Sequence, residues 1–144
     1  MKISFKIIFL FLTFVFLNDS YLYANSIYFD EGEKLFKKKD FKKSKFLFEK
    51  DIVFNPKSEK SYLYLAKIFK EEKNDDLEEN NLNTVLLLNP KNEEATYLLT
   101  LLNIKKSNFA KAKELIKKMS LICSELCSSK TELENKLNSS LKGK

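Results

Sequence analysis

Cys123 and Cys127 are the residues of this chain whose side chains can do the most chemistry, since a thiolate is both a nucleophile and a metal ligand. They lie four positions apart. Within one continuous helix they would share a face in a geometry poor for a disulfide. With a turn near Ser124 a bridge becomes feasible, and an oxidising compartment would favour it. So short a loop would gain only about 2 kcal/mol. The alternative is two small apolar residues, or free thiols without consequence. Two thiols alone are an incomplete zinc site. The chain contains no histidine, which removes the usual general base and the commonest metal ligand. No glycine-rich loop is present to cradle a phosphate. The acidic pairs Glu71-Glu72 and Glu78-Glu79 fall on what reads as a solvated helix surface. The expectation is a chain without catalytic residues, cofactor or metal; an enzyme or small-molecule carrier is remote.

The elements that position these residues read as helices. Of 144 residues, 44% are hydrophobic and 32% charged, an ordinary globular mix. Two glycines and two prolines are too few for a turn-rich β fold and suit helices with short connections. The net charge of +6 is unevenly placed. Lysines crowd 34–45 and 105–118, and an acidic block from Glu71 to Glu79 separates them. Such blocks form the solvated faces of amphipathic helices, or they steer docking to an acidic partner, a membrane surface or a second copy, making a homo-oligomer.

The amino terminus reads as an address. Met1 to Lys6 carries two lysines, and Ile7 to Leu17 is an almost wholly apolar run of about 11 residues. Asn18, Asp19 and Ser20 break the run, and Leu22-Tyr23-Ala24 has the form of a cleavage site. The expectation is a signal peptide over 1–24 and export to the periplasm or cell envelope; the alternative is an uncleaved membrane anchor. The apolar run is short for a bilayer span of roughly 20 residues. No cysteine follows it to take a lipid. Export would separate the chain from nucleic acid, so no nucleic-acid partner is expected.

The rest of the chain repeats. Asn55-Pro56-Lys57-Ser58-Glu59 returns as Asn89-Pro90-Lys91-Asn92-Glu93, 34 residues on. Proline ends the preceding helix each time. Asp40, Asn74 and Asn108 stand one such step apart as helix N-caps, and so do Ser58 and Asn92. Between them run apolar faces at helical spacing. Tyr28, Phe29, Leu35 and Phe36 open the first unit, and Phe41, Phe48 and Ile52 continue it. Tyr62, Leu65, Ala66, Phe69, Leu82 and Val85 serve the second, and Leu98, Leu99, Leu102, Ala112, Ile116 and Met119 the third. Leu126, Leu133, Leu137 and Leu141 share one face of a further helix, for which Ser124 or Ser129 is the start. Ser129-Lys130-Thr131-Glu132 has the spacing of a capping box.

This pattern resembles the tetratricopeptide repeat, whose units place an aromatic, a leucine, a small residue and a tyrosine on the first helix. The second helix then carries a small residue and an aromatic, and proline follows. Those places hold Tyr28, Glu31, Gly32, Leu35, Ser44, Phe48 and Pro56 in the first unit. They hold Tyr62, Leu65, Ala66, Phe69, Glu78, Leu82 and Pro90 in the second, and Thr96, Leu99, Thr100, Asn103, Ala112, Ile116 and Ser124 in the third. Glu31, Glu78 and Asn103 depart from the pattern. The resemblance implies an all-α solenoid of about three helix-turn-helix repeats, near 25–58, 59–92 and 93–126. A capping helix over about 126–141 and a short tail at 142–144 follow. It also implies a concave groove lined by Phe29, Glu33, Phe36, Leu63, Lys67, Lys70, Tyr97, Leu101 and Ile104. The groove would hold a partner segment that is apolar with an acidic residue; alternatively the capping helix or another subunit fills it. The lysine and asparagine clamp of chaperone-binding relatives is replaced here by Phe29, Leu63 and Tyr97. The functional expectation is an exported scaffold or adaptor binding a protein partner to organise an envelope complex; the alternative is a self-assembling structural subunit of an envelope or motility apparatus.

Overall fold

The computed structural model describes residues 26–142, so the expected leader lies outside the described residues. Among the described residues the chain forms seven helices and no strand. They are α1 (Ile27–Lys37), α2 (Phe41–Phe54), α3 (Glu59–Glu71), α4 (Asp75–Leu88), α5 (Glu93–Lys105), α6 (Phe109–Ile122) and α7 (Cys127–Lys142). Consecutive helices pair as hairpins, α1 with α2, α3 with α4 and α5 with α6, and each hairpin stacks on the next. The chain is an all-α helical-repeat solenoid closed by α7, which packs on α5 and α6.

The helix starts follow from side-chain capping. Asp40 accepts from the Lys43 amide at 3.3 Å, Asn74 from Leu77 at 3.2 Å, Asn92 from Ala95 at 2.7 Å and Asn108 from Lys111 at 3.4 Å. Within each hairpin the first helix ends in a left-handed residue, Lys39 (φ 62°), Lys73 (φ 58°) or Ser107 (φ 59°). The next amide then reaches back five residues, as Asp40 does to the Leu35 carbonyl at 3.0 Å and Asn74 to Phe69 at 2.9 Å. This closure usually takes glycine, and here side chains tolerate it three times over.

Two sequence expectations about caps are corrected. Ser58 sits at the N-cap of α3 but makes no side-chain cap bond there. Its hydroxyl is given instead to Asp51. Ser129 does not open α7, because the helix already starts at Cys127 and Ser129 lies inside its first turn. The anion at that end comes from another unit. The Glu93 carboxylate accepts from the Ser124 amide at 2.6 Å, the Ser124 hydroxyl at 2.7 Å, the Glu125 amide at 3.1 Å and the Leu126 amide at 2.7 Å. Glu59, one repeat earlier, does the equivalent work on Asn89 and Asn92. The first residue of each of these helices therefore fixes the loop that starts the following unit.

The hydrogen bond from the Leu126 amide, with those of Ser124 and Glu125, holds the Glu93 carboxyl down to about 2. A lowered carboxyl stabilises the fold above its unfolded value, and that contribution disappears as pH falls through the folded one. Acid titration of the wild type should therefore loosen the α6–α7 junction between about pH 4.5 and 2. Glu93→Gln should show less of this loosening in that window. Hydrogen exchange at Leu126, followed by NMR against pH, is the measurement; equal pH dependence in both proteins would contradict the assignment.

The core is shared between units. Phe29 and Phe48 of the first hairpin pack with Leu65, Ile68 and Phe69 of α3. Leu63, Ala66, Leu82 and Val85 pack with Ala95, Leu98, Leu99 and Leu115. Ile104, Ala112, Ile116 and Met119 pack with Leu133 and Leu137 of α7. No hairpin closes its own interior, which is the expected behaviour of stacked repeats. Gly32 is needed where α1 meets α2, since a Cβ there would lie 2.9 Å from Phe48 Cε1. Ser44 gives its hydroxyl to the Gly32 carbonyl at 2.8 Å across the same contact.

Candidate protein-binding groove

The first helices of the three hairpins, α1, α3 and α5, carry the nine residues assigned to the groove. The structure places them in three settings. Phe29, Leu63 and Ile104 are buried in the core and offer a partner little surface. Glu33, Phe36 and Lys67 are half-buried and Lys70 is exposed, and together they form a strip on α1 and α3. Tyr97 and Leu101 are half-buried because α7 lies against them. The Tyr97 hydroxyl donates to Glu132 Oε1 of α7 at 3.0 Å. The last helix thus covers part of the third unit's share of the groove.

The accessible strip is organised by a residue the sequence reading passed over, Tyr64. Its ring meets Phe29 edge-on at 5.6 Å, Phe36 edge-on at 5.0 Å and Phe48 stacked at 5.0 Å. Its hydroxyl donates to Glu33 Oε1 at 2.7 Å. Burial, with the Glu33 carboxylate beside it, pushes the Tyr64 hydroxyl well above its ordinary value. The Tyr64 hydroxyl and then Lys37 hold the Glu33 carboxyl below its usual range. Lys67 lies 4.7 Å over the Tyr64 ring and pairs with Glu94 at 2.7 Å. The signal for Tyr64 was present in the sequence. It adjoins Leu63 and precedes Lys67 by three positions, so it shares a helix face with that lysine.

Beyond Lys67 the strip opens into a cleft of about 730 Å³ between α3, α5 and α7. Leu101, Leu102 and Ile104 form its apolar wall, and Lys70, Lys105, Glu132 and Lys136 form its rim. Glu78 of α4 closes one side with only 4% of its surface exposed. The repeat pattern has a small residue at this place. Burial pushes the Glu78 carboxyl up, and Lys70 pulls it partly back. Its position in the first turn of α4 favours the ionised form through the helix dipole.

Cys123 and Cys127 form a disulfide with Cα atoms 5.1 Å apart. The turn between α6 and α7 brings them together. The bridge and Glu93 hold the same short segment, and that segment sets where α7 begins to cross the groove. Among the described residues, no group of three or more acidic, cysteine or histidine side chains converges as a metal cage.

No family model matches the sequence, and no curated protein sequence matches it. Solved structures do match the fold. The first tetratricopeptide domain of Spaghetti (RPAP3), bound to the HSP90 peptide SRMEEVD, superposes with a TM-score of 0.71 at 16% identity, over 81% of this chain and 94% of that one. The TPR2B domain of yeast Sti1, in a complex with pHsp70, gives 0.70 at 17% identity, over 83% and 100%. The Yersinia enterocolitica type III secretion chaperone SycD, holding a peptide of the translocator YopD, gives 0.70 at 12% identity, over 81% and 92%. The chain has the tetratricopeptide-repeat fold, and the three hairpins are its repeats.

Proposed function

We propose that this chain is an exported scaffold that captures a segment of a protein partner along its concave surface and helps to organise a cell-envelope complex. The carrying observation is the continuous strip from Phe36 past Tyr64 and Lys67 into the cleft beside Lys70. An apolar anchor fits against half-buried Leu101, and an acidic residue fits beside Lys70, the rim lysine without an acid partner among the described residues. The structural neighbours hold peptides, which supports the same use of the fold. The basic and apolar amino terminus supports export. The absence of histidine from the chain supports binding without catalysis.

Self-assembly through opposite charges has less support. The acidic block meets its lysines within the chain: Lys45 with Glu72 at 2.7 Å, Lys105 with Asp75 at 2.6 Å and Lys106 with Glu79 at 2.6 Å. The complementary faces are neutralised between neighbouring hairpins.

The test begins with crosslinking in the native cell and identification of the captured protein. Against that partner, the pair Phe36→Ser and Lys70→Glu should weaken binding by about tenfold or more, because one anchor and one charge are removed. Thermal melting followed by circular dichroism should show both variants folded. Unchanged affinity in a folded double variant would sink the groove.

A further inference from the structure

Val53, Leu87 and Leu121 are 74%, 81% and 80% exposed. They stand 34 residues apart, each one place before the last residue of its helix, in α2, α4 and α6. Equivalent positions on stacked repeats form a row along one edge of the solenoid. Phe54 and Ile27, 67% and 74% exposed, stand at the same edge, because each hairpin ends where it began. A single exposed apolar residue is ordinary, but a row repeated in every unit is an interaction surface.

Two further observations say what covers it. The first is charge. Lys57 and Lys91 occupy the loops of this edge, and Lys117 and Lys118 lie one turn before Leu121. No ion pair among the described residues involves these four. Three acids at this edge are engaged: Glu59 by Asn89 and Asn92, Glu93 by the α7 junction, and Glu94 by Lys67. Glu49, Asp30 and Glu125 remain exposed there. The opposite edge is different: some of its lysines pair with acids between hairpins while Lys38, Lys39, Lys42 and Lys73 stay unpaired among the described residues, and it carries no exposed apolar row repeated in every unit. The second is continuity. α1 begins at this edge, so the chain preceding Ser26 joins the solenoid here, and in the uncleaved form that chain holds the apolar run Ile7 to Leu17.

We propose that this edge rests on an anionic bilayer surface. Val53, Leu87 and Leu121 enter the interfacial region, and the lysines lie among the lipid phosphates. Shallow apolar insertion combined with basic attraction is how peripheral elements hold to membranes. The concave face then turns along the surface and stays open to a partner.

The chain has no tryptophan, so one introduced residue reports its own surroundings. The experiment uses the full chain carrying Leu87→Trp, mixed with vesicles of phosphatidylglycerol and phosphatidylcholine brominated on the acyl chains. The expected result is a blue-shifted emission quenched by the bromines, while Lys38→Trp at the opposite edge is not quenched. Adding Val53→Glu and Leu121→Glu should abolish the quenching even where the apolar amino terminus still carries the protein down with the vesicles. Vesicles of phosphatidylcholine alone should give weaker quenching. An unquenched Leu87→Trp in sedimented vesicles overturns the proposal. A blue shift without lipid, together with dimers in sedimentation, overturns it in favour of a second copy.

Discussion

Phe48→Ala should lower unfolding stability by about 4 kcal/mol, the range for emptying a large aromatic site that cannot collapse. Phe48 is fully buried, and its ring contacts Phe29, Tyr64 and the place left open by Gly32. Gly32 allows α1 to approach α2, and Phe48 fills the space that approach leaves. Loss of the ring removes contacts on both sides of the boundary between the first two hairpins. Stability in stacked repeats is a sum of unit and interface contributions, so the damage should be local. Urea unfolding followed by circular dichroism should show an early step for α1 and α2, with a smaller denaturant slope, before the rest melts. A single unchanged transition would mean that the first hairpin does not depend on this ring. The same variant disturbs the platform under Tyr64, so groove binding should fall with it.

Asp51→Ala should cost about 3 kcal/mol, by removing the acceptor of several buried donors. Asp51 is fully buried in the last turn of α2. Its carboxylate accepts from the hydroxyls of Ser26, Ser58 and Ser61. These three belong to the start of α1, the connecting loop and the start of α3. One side chain therefore fixes both ends of the junction between the first and second hairpins. The alanine variant leaves the Ser61 hydroxyl inside the protein without its carboxylate. Thermal melting of Asp51→Ala beside the triple Ser26→Ala, Ser58→Ala, Ser61→Ala and the combined variant gives a cycle. Strong non-additivity is expected, and additive losses would contradict a shared network.

Asp51 also marks the limit of sequence reading. One repeat on, its place is held by Val85, and two repeats on by Met119. Nothing periodic points to a buried acid there, and its three hydroxyl partners become neighbours only after the hairpins stack. Ser58 illustrates the same limit, since its place in the register reads as a cap while its hydroxyl turns to Asp51. The start of α7 is a third case: the spacing offers Ser124 or Ser129, the helix begins between them at Cys127, and Glu93, 31 residues before Ser124, supplies the carboxylate. The groove was legible in part. The places on α1 and α3 follow from the register, but the depth of Leu63 and Ile104 depends on the neighbouring hairpin and on α7.

By itself the sequence determined the helices, every start but that of α7, the repeat step and the solenoid. Caps, prolines and apolar faces act within a turn or two of the chain, and their recurrence made the shared interior unavoidable. Only the tertiary structure decided which carboxylates meet which donors, that Cys123 and Cys127 are bridged, and that α7 packs against Tyr97 and Leu101 on the concave face. Glu93 and its donors lie about a repeat apart, where local chemistry gives no direction and only packing brings the groups within reach; Cys123 and Cys127, four apart, meet because the chain turns between α6 and α7.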